Sequence, residues 1–336
     1  PMTRAAIAKK TGISRPTISE SAQRLEKSDL VVETSRKTRN KQGRAGVIYE
    51  INAAKGLTLA IAIDVKQIQL RLTDLSLKVI RDQCFYIDPG WQQAELAEAI
   101  LRFIRLAVQD QSSPLLAIGV SVAVPVNSQT GEILALPYSK FTVIHGINFK
   151  TLLEEHFACP VALDNDVNWA TLAEKSLGIA KNVSDFVFIY FGEGIGAGIY
   201  LDNHLIRGST GISGEIGHIM VNNNENLQDF VSNHHLQQAL EDGVDLTGHP
   251  AISQIGNTLA SIAAVINPKM FVLGGPMTKY PQFIPAIIKQ IQPQLFNEVS
   301  FIPSNAPNYA PLNGVQAGTY ELALSSFGLP SPPAAE

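Results

Sequence analysis

Residues Ala60 to Asp74 read AIAIDVKQIQLRLTD, and this stretch decides how the larger part of the chain is interpreted. It begins as an apolar strand, reaches Asp64, turns, and continues as a second strand with alternating apolar residues. A strand, an acid and a tight turn at the start of an α/β domain are typical of a nucleotide-phosphate site. Such a turn needs glycines, because only a residue without Cβ lets backbone N–H groups close on an anion. Here the turn is Val65–Lys66–Gln67, so the sequence predicts an α/β frame with an altered turn.

Length and composition indicate a globular protein with more than one compact unit. The chain has 336 residues, of which 45% are apolar and 17% charged. It has no run of 18 apolar residues and no basic-then-apolar leader, so we expect no membrane insertion and a cytoplasmic location. Cys84 and Cys159 form neither a disulfide framework nor a metal-binding spacing. Because Pro1 lies inside what reads as a structured unit, we expect the natural start to lie upstream.

The net charge of −4 hides an asymmetry between the two parts of the chain. Residues 1–55 contain twelve Lys and Arg against five Asp and Glu, a net charge of +7. The remainder contains fourteen against twenty-five, a net charge of −11. A small basic unit joined to a large acidic one suggests that only the first part meets a polyanion.

The basic unit reads as a helix-turn-helix. Thr3 can cap a first helix that Gly12 ends, and Ser14 can cap a second helix with Pro16 in its first turn. In the second helix Ile18, Ala22 and Leu25 recur at helical spacing and should face inward, which leaves hydroxyl groups and arginines outside. Two short helices joined in this way are typical of DNA-binding proteins.

A basic hairpin follows the two helices. The loop SRKTRNKQGRAG lies between the short strands Leu30–Val32 and Val47–Ile51, which together predict the wing of a winged helix. The alternative is a solvated loop beside a structural helix pair. Glu20 fits DNA poorly, since a carboxylate is tolerated only near a cytosine amine or at the edge of the interface. The residues predicted to contact DNA are Ser14, Arg15, Thr17, Ser19, Gln23, Arg39, Lys41 and Arg44.

From Leu57 onward, strands alternate with helices, which predicts two α/β lobes with a cleft between them. Two details of this prediction concern the cleft. Gly192–Gly198 is predicted to be a glycine-rich turn before a strand at Ile199–Leu201, and Leu227–Leu240 to be one helix. The other predicted strands are 59–63, 68–74, 78–87, 116–124, 161–163, 186–190 and 270–273, and the other helices are 94–109, 150–157, 169–177 and 251–265.

Several motifs of this part resemble those of the ROK family, named for repressors, open reading frames and kinases. The stretch FGEGIGAGIYLDNHLIRGSTGISGEIGHI (Phe191–Ile219) is similar to the family signature. Further similar stretches, in order, are GVSVAVPVNSQTGEIL (119–134), DNDVNWATLAE (164–174), INPKMFVLGGPM (266–277) and NGVQAGTYELAL (313–324). ISRPTISESAQRLEKSDLV resembles the winged helix of the repressor branch, which includes the N-acetylglucosamine and xylose repressors.

The resemblance implies an actin-like ATPase (ribonuclease H-like) α/β fold with two lobes and an N-terminal winged helix-turn-helix domain. We expect three parts: residues 1–55 as the DNA-binding domain, truncated at its start; residues 56–150 with 312–328 as the first lobe; and residues 151–311 as the second lobe, with the effector cleft and the oligomer surface.

The resemblance also implies a sugar site. Asp166 matches the catalytic base of the family's kinases, and Asn165, Glu215 and His218 match sugar contacts. The alternative is a capped turn at Asn165–Asp166 and a buried polar pair at Glu215–His218. Neighbouring positions depart from the family: Val126 replaces the glycine after Pro125, Tyr138 replaces an asparagine and Gln228 a glutamate. We therefore expect a carbohydrate, a phosphosugar or a smaller ligand as effector, and the alternative is that effector binding has been lost.

Two further departures argue against zinc and against catalysis. The family's cysteine cluster after the GEIGH histidine is missing, and His218, His234 and His235 alone are a weak zinc signal, so we expect an Asn-rich turn in its place and no metal. The two phosphate turns are also altered, since Val65 disfavours positive φ and Glu193 places a carboxylate where the family has threonine. We expect no catalytic residue and no cofactor.

These observations lead to a sugar-responsive transcriptional repressor that binds double-stranded operator DNA as a homodimer or tetramer. The alternative is an ATP-dependent ROK sugar kinase with an added DNA-binding domain. A third hypothesis is a scaffold regulated by a protein partner from sugar transport.

Overall fold

The computed structural model describes residues 1–34, 47–134, 141–305 and 310–328, and the N-terminal part forms a small unit of its own. Two helices lie beside a three-stranded antiparallel sheet with the strand order β1-β3-β2. The elements are β1 (Met2–Thr3), α1 (Arg4–Thr11), α2 (Arg15–Lys27), β2 (Val31–Thr34) and β3 (Ile48–Ile51).

Local sequence signals set the ends of both helices. The Thr3 side chain accepts the Ala6 N–H at 3.1 Å, and Gly12, in the left-handed region, follows the end of α1. The Ser14 hydroxyl caps α2 by accepting the Thr17 N–H at 3.4 Å. Ile18 and Ala22 are buried, as their spacing predicts. The predicted helices of this unit are therefore confirmed.

The first large sheet has the strand order β6-β5-β4-β7-β8. Strands β4, β5 and β6 form an antiparallel meander, and β7 and β8 run parallel to β4. Two helices, α3 and α4, pack with this sheet into one apolar core. The elements are β4 (Leu57–Ile63), β5 (Gln67–Asp74), β6 (Val79–Tyr86), α3 (Gln93–Val108), β7 (Leu115–Val122), α4 (Phe149–Phe157) and β8 (Val161–Asn165).

The second large sheet repeats this arrangement, with the order β11-β10-β9-β12-β13. Again three antiparallel strands are followed by two strands parallel to the first of them. The elements from α5 onward are α5 (Asp166–Ser176), β9 (Phe186–Phe191), β10 (Ile195–Leu201), β11 (His204–Ile206), α6 (Leu227–Asn233), α7 (Leu236–Glu241), α8 (Pro250–Ile266), β12 (Met270–Gly274), α9 (Phe283–Ile291), β13 (Ser300–Pro303) and α10 (Ala310–Ser325).

Helices α5 and α10 lie at the centre of the molecule. Trp169 of α5 packs with Leu312 and Val315 of α10 and with Ala60 of β4. On its other side, Ala170 of α5 packs with Phe186 and the second sheet. The pair therefore connects the two sheets.

Four predicted boundaries are wrong. The segment Gly192–Gly198 is not one turn, because β10 already begins at Ile195. A Cβ on Gly196 or Gly198 would lie 3.1 Å from Val167 or 1.7 Å from Thr171, so these glycines let α5 approach a strand. The predicted Leu227–Leu240 helix breaks at His235, which has a φ of 50°.

The other two corrections concern the start of α5 and the limit between the lobes. Helix α5 begins at Asp166, three residues earlier than predicted, because Asn165 caps it. The predicted limit at residue 150 precedes α4 and β8, yet β8 pairs with β7 and both elements belong to the first core. Strand pairing therefore groups the residues up to Asn165 with the first sheet.

No helix in the described part of the chain combines the length and the apolar character that crossing a membrane requires.

Candidate ligand cleft and candidate nucleic-acid interface

The start of α5 presents two of the four predicted ligand residues. The Asn165 Oδ1 atom accepts the Asn168 N–H at 2.7 Å and so caps the helix. The Asp166 carboxylate accepts the Val167 N–H at 2.9 Å. Burial raises the pKa of Asp166 to about 6, and the charge of Asp64 raises it as well. The carboxyl ends of β4 and β8 therefore bring Asp64 and Asp166 close together.

The other two predicted ligand residues flank a single helical turn at 216–218. The Glu215 Oε2 atom lies 4.0 Å from the His218 Nε2 atom. Burial raises the pKa of Glu215 to about 7, and the charge of Asp166 adds to this effect. The charge of Asp166 therefore acts on Glu215, with Asn165 next to the first residue and His218 next to the second.

Tyr190 is a residue of this site that the sequence reasoning missed. Burial, together with the carboxylates of Asp166, Glu193 and Asp64, raises its pKa to about 12. Its ring covers Gly192, where a Cβ would come within 2.6 Å of it. The signal available in the sequence was its place near the end of a strand, directly before the glycine turn.

Asp64 closes its own turn. Its Oδ1 atom accepts the N–H groups of Lys66 and Gln67 at 2.7 and 2.9 Å. The Asp64 N–H donates to the Gln67 carbonyl at 3.0 Å, which completes a tight β4–β5 hairpin, and the Val65 side chain is 44% exposed. Two N–H groups of this turn that could bind a phosphate, those of Lys66 and Gln67, are therefore already bound to Asp64.

Glu215 follows a segment held tightly against β10. The Ala197 N–H donates to the Gly214 carbonyl at 2.7 Å. Gly214 has a φ of 94°, and a Cβ there would lie 1.9 Å from the Ala197 carbonyl oxygen. This position requires glycine for its backbone angle and for its space, and it fixes where Glu215 enters the cleft.

The positions that depart from the family have structural roles where the structure describes them. Val126 is fully buried in the first core, and the Gly211 backbone lies against its carbonyl. The Gln228 Oε1 atom accepts the Ile195 N–H at 3.2 Å, which ties α6 to the start of β10. Tyr138 lies outside the described residues.

The loop after His218 contains the Asn-rich turn that the sequence predicts. The Asn222 side chain accepts the N–H groups of Asn224 and Glu225, both at 2.8 Å, and Asn226 caps α6 at Asp229. His234 stacks on Phe230 at the end of α6. In the described segments, no three His, Cys, Asp or Glu side chains come close enough together to hold a metal ion.

The described residues predicted to contact DNA lie together at the start of α2 and along it. Ser14, Arg15, Thr17 and Gln23 are exposed, and Ser19 is half-buried. Beside them lies a shallow groove of about 600 Å³ between α1 and the start of α2, lined by Lys9 and Arg15 among others. Arg39, Lys41 and Arg44 lie in the segment 35–46, outside the described residues.

Glu20, which fits DNA poorly, has a partner on the same face. Its carboxylate lies 2.5 Å from the Arg24 guanidinium, one helical turn away. Both side chains are mostly exposed, so the pair adds little stability. It does offset the negative charge of this face.

Known proteins resemble the chain in sequence and in fold. The chain is 27% identical to the xylose repressor of Bacillus spizizenii, across 94% of this chain and 90% of that one. It is 30% identical to the xylose repressor of Bacillus subtilis, across 67% of this chain and 58% of that one. Among solved structures, a ROK family transcriptional regulator, a homolog of the E. coli MLC protein, superposes with a TM-score of 0.74 at 21% identity, over 97% of this chain and 94% of that one.

A ROK hexokinase from Thermus thermophilus superposes with a TM-score of 0.66 at 20% identity, over 81% of this chain and all of that one. These two structures share the mixed α/β, actin-like fold of the protein, which confirms the fold of the large part. The model of the ROK family matches residues 58–230, which is just over half of the sequence. The chain therefore belongs to the ROK family.

Proposed function

We propose that the protein is a sugar-responsive transcriptional repressor. Residues 1–55 are a winged helix-turn-helix that binds operator DNA, and the cleft at Asp166 and Glu215 binds a carbohydrate effector without transferring phosphate. One observation carries this proposal: a basic two-helix unit is joined to an acidic kinase-like body whose phosphate turn is closed by Asp64. The names of the two Bacillus relatives support it.

Helix α2 is the element that fits the major groove. Its exposed start carries Arg15 and hydroxyl groups that can meet phosphates and base edges. The net charge of +7 in residues 1–55 supplies the attraction to a polyanion. Binding of this kind weakens steeply as the salt concentration rises.

Replacing Arg15 by alanine is expected to weaken operator binding by roughly 1–3 kcal/mol if its guanidinium contacts a base. The measurement is a gel shift on a duplex selected by the wild-type protein from random sequences, repeated at several salt concentrations. Lys27→Ala is the matched control, because Lys27 is an exposed cation at the other end of α2. Equal losses in both variants would show that general charge, not the start of α2, determines the affinity.

The cleft favours binding without phosphoryl transfer. The N–H donors of the β4–β5 turn bind Asp64, and Glu193 adds a negative charge to the β9–β10 turn. Asp166 then serves to bind a sugar hydroxyl, and no catalytic role is assigned to it. The alternative is a sugar kinase with an added DNA-binding domain.

Incubation with ATP, Mg²⁺ and a panel of sugars is expected to release no ADP above background, because a triphosphate meets carboxylates in place of free N–H donors. A coupled ADP assay measures this. ADP release that depends on one sugar and disappears in Asp166→Ala would establish the kinase alternative.

The carboxylates also select between the predicted effector classes. The charges of Asp64, Asp166 and Glu193 act on Tyr190, and that of Asp166 acts on Glu215 as well, so a neutral carbohydrate fits better than a phosphosugar. D-Xylose is the first probe, because relatives of the chain are xylose repressors.

The remaining parts of the proposal concern organisation. Residues 56–165 with 310–328 form the first lobe, and residues 166–305 form the second lobe with the oligomer surface. The protein acts in the cytoplasm as a homodimer or tetramer on a two-fold operator. A protein partner from sugar transport is a further part of the hypothesis, and a pull-down tests it.

A further inference from the structure

The N-terminal unit is anchored to the body by a small apolar contact. Leu30, which precedes β2, is buried with Leu75, Ala117 and Ala323. We call this group the junction cluster, together with the residues packed against it: Leu25, Leu116, Tyr320, Leu322 and Phe327. Its members come from the N-terminal unit, from the first sheet and from the C-terminal end of α10 and the turn after it.

The part of α10 that precedes the junction cluster packs directly against α5. A Cβ on Gly314 would lie 1.8 Å from the Trp169 carbonyl oxygen, and a Cβ on Gly318 would lie 2.4 Å from the Trp169 ring. The indole N–H of Trp169 donates to the Val120 carbonyl of β7 at 2.9 Å. Since backbone meets backbone here, a displacement of α5 must displace α10.

Helix α10 is held along its length. The Arg71 guanidinium of β5 donates to Asn313 at 2.9 Å and to Gln316 at 3.3 Å, and Asp82 accepts from its other side. Further along, Thr319 lies so close to Gly119 of β7 that a Cβ there would come within 1.9 Å. A 16-residue helix spans about 24 Å, so α10 is a stiff rod from Trp169 to the junction cluster.

The candidate ligand residues lie at the start of the helix that this rod contacts. Asp166 is the first residue of α5, and Trp169 follows one turn later. Asp166 experiences the like charge of Asp64 and itself acts on Glu215, so a ligand that bonds to Asp166 alters the electrostatic repulsion at the start of α5. Packed elements of this kind shift between discrete arrangements and do not deform smoothly.

We propose that α10 transmits the effector signal from the start of α5 to the DNA-binding unit through the Trp169–Gly314–Gly318 contact and the junction cluster. This inference rests on the proposed function and names the route by which the cleft alters operator affinity. Trp169 and Phe327 act as positioning residues, because neither belongs to the predicted sugar or DNA contacts.

A double-mutant cycle on operator affinity tests the route without requiring a known effector. Asp166→Asn removes the charge at the start of α5, and Phe327→Ala removes a side chain from the junction cluster. We expect Asp166→Asn to change the operator Kd at least fivefold in the wild-type background, and less than twofold in the Phe327→Ala background. Phe327→Leu should restore the response, and Leu324→Ala, an apolar change outside the cluster, should leave it intact.

The possible outcomes distinguish a failure of the proposed α10 route from a failure of the proposed repressor function. An Asp166→Asn response that persists undiminished in Phe327→Ala overturns the route and leaves the repressor proposal standing. An unchanged operator Kd in Asp166→Asn also overturns the route, since no signal then leaves α5. If the wild-type protein selects no duplex, the proposed function itself fails.

A second measurement does not depend on the folding of the Phe327 variants. Hydrogen exchange of the wild-type chain and of Asp166→Asn is compared over α10 and residues 25–34. The route requires altered protection in both segments. Altered protection confined to α5 and the second sheet overturns it.

Discussion

Replacing Gly214 by alanine is expected to destabilise the protein by at least about 3 kcal/mol and to abolish sugar binding. The backbone at Gly214 has a φ of 94°, which L-residues with a Cβ rarely adopt, and the new Cβ would lie 1.9 Å from the Ala197 carbonyl oxygen. Relief of this overlap requires the segment before Glu215 to leave β10. Urea unfolding and a thermal shift with D-xylose measure the two effects.

Gly243→Ala is the matched control for this prediction. Gly243 also has a positive φ, 67°, but a Cβ there meets nothing within 4 Å. It should therefore show only the backbone penalty, about 1–2 kcal/mol. Equal losses in the two variants would contradict the close packing between Gly214 and β10.

Replacing Glu215 by glutamine is expected to stabilise the protein by about 2–3 kcal/mol at pH 8. Burial and the charge of Asp166 raise the pKa of Glu215 from 4.5 to about 7. The folded protein therefore binds this proton more tightly than the unfolded chain does, and stability falls as the pH rises from about 4.5 to about 7. The advantage of Glu215→Gln should shrink to below about 1 kcal/mol at pH 5. Urea unfolding at the two pH values measures it.

Glu225→Gln is the control of opposite sign. Hydrogen bonds from Asn233 and Asn222 lower the pKa of Glu225, so its charge stabilises the fold above the ordinary pKa of the group and this contribution is lost on acidification. Glu225→Gln should therefore lower the melting temperature at pH 8, and the difference should fade as the pH falls. A Glu215→Gln variant that is less stable than wild type at pH 8 would contradict the buried carboxylate pair.

Local patterns predicted much of the fold because the signals that set helix ends and hairpins lie within a few residues of one another. Thr3, Ser14 and Pro16 predict the ends of α1 and α2 without reference to the rest of the chain. A glycine can mark a turn or allow two elements to pack closely, and the sequence alone does not show which of these roles it has. Gly196 and Gly198 were interpreted as turn residues, whereas their role is to admit α5 against β10, a contact between segments about 30 residues apart.

In the candidate site, too, local motifs predicted some residues, whereas the role of others depends on contacts between elements that are distant in the sequence. Resemblance to the family predicted Asn165, Asp166, Glu215 and His218 as ligand residues. In the structure the charge of Asp166 acts on Glu215, and the binding role of the four residues stays a prediction. Tyr190 was missed because its significance arises only when the ends of β4, β9 and α5 meet. The assignment of β8 to the first sheet likewise depends on strand pairing, which a linear reading of alternating strands and helices does not contain.

The shared strand order of the two sheets makes the β4–β5 and β9–β10 turns counterparts of each other. Each is the first hairpin of its half, and each carries an acid, Asp64 in one and Glu193 in the other. A polyanion that approaches the cleft is therefore repelled by an acid from each sheet. The net positive charge of residues 1–55 attracts it instead. Under the proposed function, this charge distribution draws nucleic acid to residues 1–55 and keeps it out of the cleft that we propose binds a neutral carbohydrate.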